Sequence, residues 1–356
     1  MKLTLVPNII QRIVNYKYPK MKKIYSQISS AIKDSHHILL HLHPGSDADS
    51  AGSALAFYHY LTSINKKVTL ISGDSNLSPG LATLPGAKQI TPQNFFDLNL
   101  ADFDLFIILD SSEKRQISKL GEVVFPKHLK TIVIDHHASN QGFGDINLIE
   151  ADSPATCQVV YKLFNSLKIK ISKEIALCLF TGIFGDTGGF KYSSTSAQTF
   201  SICAQLTKIA PNFTEILFNL ENNDRPERPK LLGLHLSHIE TYFNGRIALS
   251  GLSLSVLRKN NINPDDSVNA EISNTLKSVV GWEIGISMIE AGKDMVRASF
   301  RTRDPVIFDL SKIATATGYG GGHKAAAGAS LPMSLSKAKR LVLRTISRLH
   351  PELGNI

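Results

Sequence analysis

Apolar residues fall along the first half of the chain in short, nearly unbroken runs, Ile38–His43, Val68–Ser72, Leu105–Asp110 and Thr131–Asp135, each closed by a polar residue. Runs of this length predict β-strands buried on both sides rather than strands with one wet face. Apolar positions recur at helical spacing near Ala51–Ile64, Pro154–Leu167 and Glu174–Phe184. Strands alternating with helices predict an α/β fold whose parallel sheet is covered on both faces. Ligands of such sheets bind outside the carboxyl ends of the strands, which makes the residues closing each run the candidate site.

The pattern changes at Glu221–Lys230, where charges and two prolines interrupt the apolar segments. Beyond it, Arg246–Leu254, Glu283–Ile289 and Met295–Thr302 alternate as strands do, while Phe308–Ala316 and Ser336–Leu349 carry helical spacing. The expected organisation is an N-terminal extension or helix over 1–34, a first domain over 35–220, a linker over 221–234 and a smaller α/β domain over 235–356. The active site is expected in the cleft between the two domains, with the linker as a hinge.

Composition narrows the class. The chain has 356 residues, too many for one ordinary core, and its 43% hydrophobic and 19% charged residues are those of a folded globular protein. Its longest apolar runs, such as Leu105–Leu109, fall well short of the roughly 20 residues of a membrane-spanning helix. No signal-peptide pattern opens the chain, so the expectation is a cytoplasmic protein without a membrane partner. Cys157, Cys178 and Cys203 lie in apolar helical patterns and read as small buried residues in a reducing compartment. The net charge of +9 favours anionic partners, without separating RNA from nucleotides or from plain solubility.

The closing residues carry the chemistry. His41 and His43 share a face at the end of the first run, and Asp47 and Asp49 follow in the turn before Ala51-Gly52-Ser53. Taken alone, this cluster also reads as a helix cap beside solvated histidines. Three more clusters stand at corresponding places: Asp110 with Ser111-Ser112, Asp135-His136-His137, and Gly185-Asp186-Thr187-Gly188 after an apolar helix. Buried charges must be paired or bound to a cation, so four such clusters point to metal. Carboxylates with a minority of imidazoles and no thiolates suit manganese or magnesium better than structural zinc. The acids suffice for two divalent ions sharing one carboxylate, and the reaction class this indicates is phosphoester hydrolysis.

With those motifs in this order, His43-x3-Asp47-x-Asp49-x2-Gly52-Ser53, Asp110, Asp135-His136-His137 and Gly185-Asp186-Thr187-Gly188, the chain resembles the DHH phosphoesterases. Carried over residue by residue, the resemblance implies one ion held by His43, Asp47 and Asp110 and a second held by Asp49, Asp110, His136 and Asp186. It makes Asp110 the bridging ligand, turns His137 toward the phosphate, and has Asp135 orient a histidine from behind. Asp110, Asp135, His136 and His137 form the implied catalytic set. His41 is left a supporting or purely structural role.

The C-terminal half resembles the DHHA1 domain at Gly320-Gly321-Gly322-His323-Lys324-Ala325-Ala326-Ala327-Gly328. There the glycines are expected to free backbone amides for an anion, with His323 and Lys324 as further donors. Close packing of small residues is the bland alternative. Arg301 is implied as a phosphate contact, while Arg303 stays open between that role and a solvated one. The chain has no room after residue 350 for an added nucleic-acid-binding barrel, so it resembles the stand-alone nanoRNase and 3′-phosphoadenosine-5′-phosphate phosphatase branch. That branch implies a manganese- or magnesium-dependent enzyme cutting short RNA oligonucleotides, dinucleotides above all, to 5′-mononucleotides, with 3′-phosphoadenosine-5′-phosphate as a further substrate. Cyclic or linear diadenylate is the close alternative, a non-catalytic nucleotide- or RNA-binding module the alternative from another class, and a homodimer a compatible assembly.

Overall fold

The computed structural model describes residues 21–223, 226–264 and 269–355, which fall into two compact units dividing after Asn223. The first unit opens with helix α1 over 21–34. It continues through β1 (His37–His41), α2 (Ala48–Ser63), β2 (Lys67–Ile71), β3 (Ile90–Thr91), β4 (Leu105–Leu109), β5 (Lys130–Asp135) and β6 (Ile146–Ile149). Four helices complete it: α3 (Thr156–Ser166), α4 (Lys173–Asp186), α5 (Ala197–Ile209) and α6 (Phe213–Glu221). The rest of the expected N-terminal extension, residues 1–20, lies outside the described residues.

The strands are all parallel and lie in the order β3-β2-β1-β4-β5-β6. Successive residues of a strand point to opposite faces. Leu40, Ile107 and Ile134 therefore pack on one side against Leu55, Val160 and Leu179 of the helices, while Leu39, Phe106 and Val133 face the other side. Among the described residues no α-helix covers that second face. Phe95, Phe103 and Val123 reach it from loops and single turns of 3-10 helix. From β1 the chain runs outward through β2 and β3, then returns to β1's other side with β4. The order thus reverses between β1 and β4, the place where a doubly wound sheet opens a crevice at its carboxyl edge.

The second unit holds α7 (Glu227–Ser237), β7 (Ile239–Tyr242), β8 (Ile247–Leu252), α8 (Leu254–Lys259), α9 (Asn269–Ser278), β9 (Ile284–Gly292) and β10 (Met295–Thr302). After these come α10 (Leu310–Ala316), β11 (Gly320–Gly322), β12 (Ala326–Leu331) and α11 (Leu335–Leu349). Its sheet runs β11-β12-β10-β9-β8-β7, with β8 and β9 parallel and the other pairs antiparallel. Ala338, Val342, Leu343 and Ile346 form the buried stripe of α11, the spacing that a helix lying on a sheet requires.

The stretch 221–234, expected as a linker, is largely ordered. It ends α6 and contains most of α7, whose Leu231 is fully buried in the second unit's core. Its prolines do not prevent a helix, since Pro226 precedes the first turn and Pro229 lies within it, where backbone N–H groups have no intrahelical partner. Cys157, Cys178 and Cys203 are buried free thiols. Among the described residues no helix is long and apolar enough to cross a membrane.

Candidate active site

The strand β1 ends at His41, two residues before the expected end, and this separates the two histidines. His41 is fully buried on the loop-covered face, its ring edge-on to Phe106 at 5.4 Å, and burial holds its pKa down at about 4, so it stays neutral. His43 lies in the loop beyond. Asp47 does two things at once: its Oδ1 accepts the Asp49 and Ser50 N–H groups at 3.0 Å each, capping α2, and its Oδ2 stands 3.5 Å from His43 Nε2. The capping alternative raised by the sequence is thus true of one oxygen only.

Asp49, in the first turn of α2, has its carboxylate turned inward to the start of α3. It accepts the Thr156 N–H at 2.6 Å and the Cys157 N–H at 2.8 Å. The N-cap of α3 is Ala155, which has no side-chain acceptor, so Asp49 caps this helix from another element. Asp110 is the first residue past β4 and adopts a left-handed backbone with φ of 53°, a conformation Asp tolerates better than most residues. The Thr156 hydroxyl donates to its Oδ1 at 3.0 Å.

Asp135 closes β5 and is fully buried. Its Oδ1 accepts from the His136 N–H at 2.8 Å and from His137 Nδ1 at 2.7 Å, and its Oδ2 accepts from Asn140 Nδ2 at 2.8 Å. His136 donates from Nδ1 to the Ser153 carbonyl at 3.1 Å. A carbonyl can only accept, so that bond fixes the tautomer and leaves Nε2 as a lone-pair donor. His136 Nε2 lies 3.2 Å from Asp186 Oδ2, 3.7 Å from Asp110 Oδ1 and 4.0 Å from Asp49 Oδ2.

Asp186, the last residue of α4, reaches this group because α4 crosses α2 and α3 at very short range. A Cβ on Gly182 would stand 2.2 Å from Cys157 Sγ and 2.9 Å from Asp49 Oδ1. Glycine at this position is what lets Asp49, the start of α3 and the end of α4 occupy adjoining space.

Among the described residues three overlapping ligand groups result, His43–Asp47–Asp110, Asp49–His136–Asp186 and Asp110–His136–His137, each with donor atoms within 4.8 Å of one another. Asp110 faces the first two: Oδ2 lies 3.4 Å from His43 and Oδ1 3.7 Å from His136. Burial pushes Asp49 well above the usual carboxylate range, and the charges of Asp110, Asp186 and Asp47 push it further. Burial likewise raises Asp186 to about 6. Burial opposes charge on His43, yet its hydrogen bonds with Asp110 and Asp47 prevail and lift it to about 10. The Asp135 hydrogen bond raises His137 to about 9. Asp49 and Asp186 thus tend to hold protons, whereas Asp47, despite its burial, is kept below the usual carboxylate range by its His43 partner, and the carboxylate and imidazole donors together fit hard divalent cations. Such cations, when bound, acidify water and neutralise phosphate oxygens.

The proton inventory gives a pH signature. Asp186 with a folded pKa of about 6 binds more protons folded than unfolded, so in the metal-stripped protein it contributes stability that is lost as pH rises through about 4 to 6. His43, raised to about 10, contributes stability that is full below its unfolded value and lost as pH climbs toward 10. A cation must displace the His43 proton, so manganese titrated in at neutral pH is expected to release about one proton per chain from this ring and to bind more tightly as pH rises. Calorimetry in buffers of different ionisation enthalpy checks both; binding without proton release contradicts the arrangement.

In the second unit, Arg301 is the last residue but one of β10, and its register partner Ala326 opens β12. His323 and Lys324 form the tip joining β11 to β12, so the structure groups these three side chains at one end of one sheet. Arg301 Nη1 is steadied by Ser299 Oγ at 3.1 Å and the Phe300 carbonyl at 2.9 Å. The glycine run forms the edge strand of this sheet rather than a loop. Gly320–Gly322, and with it Gly321 and Gly322, is strand β11 paired to β12, and a Cβ on Gly320 or Gly322 would lie 2.4 Å from the Gly328 carbonyl or 2.7 Å from the Ala326 carbonyl. Packing of small residues accounts for those two positions. Arg303 donates to the Lys277, Ser278 and Val279 carbonyls at 3.3, 3.2 and 2.9 Å, and so caps the end of α9.

Sequence inspection passes over Thr156, Asn140 and Ser153, which hold Asp49, Asp110, Asp135 and His136 in place. None stands in a spaced motif. The only local signal is a helix start at Ala155 with no capping side chain of its own.

Comparison with known proteins agrees with this geometry. Residues 37–183 match the model of the DHH family, N-terminal domain. The bifunctional oligoribonuclease and PAP phosphatase NrnA of Thermus thermophilus is 26% identical over 334 residues, covering 93% of this chain and 94% of that protein. NrnA of Bacillus subtilis is 24% identical, covering 88% and 95%. A crystal structure of an exopolyphosphatase-related protein from Bacteroides fragilis superposes with a TM-score of 0.85 at 25% identity, covering 93% of this chain and 98% of that one. The ligand-bearing strands lie inside the matched residues, so the first unit is similar to the DHH family's N-terminal domain, and the similarity to these relatives extends over most of the chain.

Proposed function

We propose that this chain is a phosphoesterase that hydrolyses short oligoribonucleotides, dinucleotides above all, to 5′-mononucleotides, and also removes the 3′-phosphate of 3′-phosphoadenosine-5′-phosphate. The observation that carries this reading is Asp110, whose two oxygens face the two ligand groups separately. That placement suits two divalent ions, manganese foremost, sharing one carboxylate. The chain spans nearly the whole length of relatives named for both activities, which supports the substrate class.

In this reading His43, Asp47 and Asp110 hold one cation, and Asp49, Asp110, His136 and Asp186 the other. His137, fixed through Nδ1 by Asp135, offers its remaining nitrogen to the scissile phosphate. Arg301, His323 and Lys324 are the second unit's substrate-binding residues, and Gly321 and Gly322 shape the hairpin that carries two of them.

Purified protein is tested with manganese on 5′-phosphorylated diadenylate, cyclic diadenylate and 3′-phosphoadenosine-5′-phosphate in parallel. AMP from the linear dinucleotide and from the 3′-phosphate substrate is the expected result. Preference for the cyclic substrate would reassign the enzyme to cyclic-dinucleotide turnover. No manganese-dependent product from any of them would contradict the proposal.

The two arginines separate binding from folding. Arg301→Ala is expected to raise KM about tenfold or more, as loss of a charge-assisted phosphate contact does. Arg303→Ala should leave KM unchanged and cost about 1 kcal/mol of stability through its lost helix cap. Steady-state kinetics and thermal melting of both variants check the pair.

A further inference from the structure

The turn that follows Asp186 is built in an unusual way. Gly188, Gly189 and Phe190 are all left-handed, with φ of 58°, 66° and 65°. A bulky residue such as Phe190 adopts that conformation only under constraint. Two constraints are present. Phe190 donates its N–H to Thr187 Oγ1 at 3.0 Å, and its ring packs against Phe184 and Phe200 at 5.7 and 5.2 Å. The same turn folds back onto α4, with the Tyr192 N–H bonded to the Thr187 carbonyl at 3.0 Å.

What this arrangement presents is Tyr192. Its ring lies against the backbone of Gly188, where a Cβ would stand 2.6 Å from the ring's Cε1 and Cζ. One face is therefore fixed on a backbone two residues from the ligand Asp186. The side chain is nonetheless 53% exposed, and among the described residues it pairs with no other aromatic ring. A half-exposed aromatic ring seated on a strained, well-anchored turn that directly follows the candidate metal ligand Asp186 has the form of a stacking platform.

We propose that Tyr192 is the base-stacking subsite for a nucleotide whose phosphate sits at the metal ligands. The inference rests on the function proposed above and adds to it the residue that favours nucleotides over simple phosphates. Stacking is sequence-tolerant, because every base has a π-face, so the subsite takes purines and pyrimidines alike, purines more tightly.

The test uses the full chain with Tyr192→Phe, Tyr192→Leu and Gly188→Ala, the last of which pushes a methyl group into the ring. Two readouts are needed: KM and kcat with manganese on 5′-phosphorylated diadenylate and on its abasic counterpart, and quenching of a 2-aminopurine dinucleotide when it binds. Loss of one stacked base is expected to raise KM for diadenylate about tenfold in Tyr192→Leu and Gly188→Ala, with Tyr192→Phe close to wild type. The rate on the abasic substrate should not change, and quenching should disappear in Tyr192→Leu. A KM within twofold of wild type in Tyr192→Leu, or equal losses on both substrates, overturns the proposal. If wild type hydrolyses neither compound, the functional reading fails, and quenching alone decides the subsite: equal quenching in wild type and Tyr192→Leu rules it out.

Discussion

Asp110→Asn is expected to abolish turnover while leaving a folded protein. The substitution keeps the side chain's shape and suits a left-handed residue at φ of 53°, which an alanine would strain. It removes the charge that faces His43 on one side and His136 on the other, and replaces one facing oxygen with an amide nitrogen, which cannot ligate a cation. Electrostatic stabilisation of this kind is worth several kcal/mol at the transition state, so the loss in kcat/KM should be about 10³-fold or more. Manganese affinity should fall with it, and the far-ultraviolet circular dichroism should not change. Retained activity in Asp110→Asn would remove the shared-ligand assignment.

The second large effect is expected in the helix that carries Asp186. Within a helix, Gly→Ala ordinarily stabilises by about 1 kcal/mol. Gly182→Ala should do the reverse, because its methyl group would stand 2.2 Å from Cys157 Sγ and 2.9 Å from Asp49 Oδ1. Both neighbours are held, Cys157 in the first turn of α3 and Asp49 by two N–H groups of that same turn. Relief requires α4 to move away from α2, at a cost of about 3 kcal/mol. The same movement carries Asp186 from His136, so manganese binding should weaken alongside stability. Thermal melting with and without manganese checks this. A variant at least as stable as wild type would show that the helices are less closely engaged than the structure has them.

Local chemistry was the legible part of this protein. His43, Asp110 and Asp135–His137 each follow an apolar run directly, with Asp47 four residues beyond His43, and the strand endings place them on one edge without further information. The parallel sheet was readable for the same reason, since β1, β4 and β5 are continuous apolar runs. What could not be read depends on contacts distant in sequence. Asp49 caps a helix that starts 107 residues later, and no spacing rule reports such a pairing. His41 and His43 alternate as if on one strand face, but the strand stops between them and the two rings have unrelated environments. The glycine run was ambiguous in sequence because glycine serves an anion loop and a crowded hairpin equally well, and only the Gly328 and Ala326 carbonyls decide between them. Prolines and charges at the start of 221–234 fall where the two units divide, after Asn223, and what they do not report is the helix that the burial of Leu231 secures just beyond.

The central claim is that phosphoester hydrolysis here depends on cations held by the Asp110-centred cluster. Its most direct test is the rate of AMP release from 5′-phosphorylated diadenylate by metal-stripped protein as manganese is added back and then chelated. No product without manganese, a rise that saturates with the cation and a return to zero on chelation are expected. Product formed at the same rate in stripped and manganese-loaded protein would contradict this dependence, as would tight binding of the dinucleotide with manganese present and no AMP released.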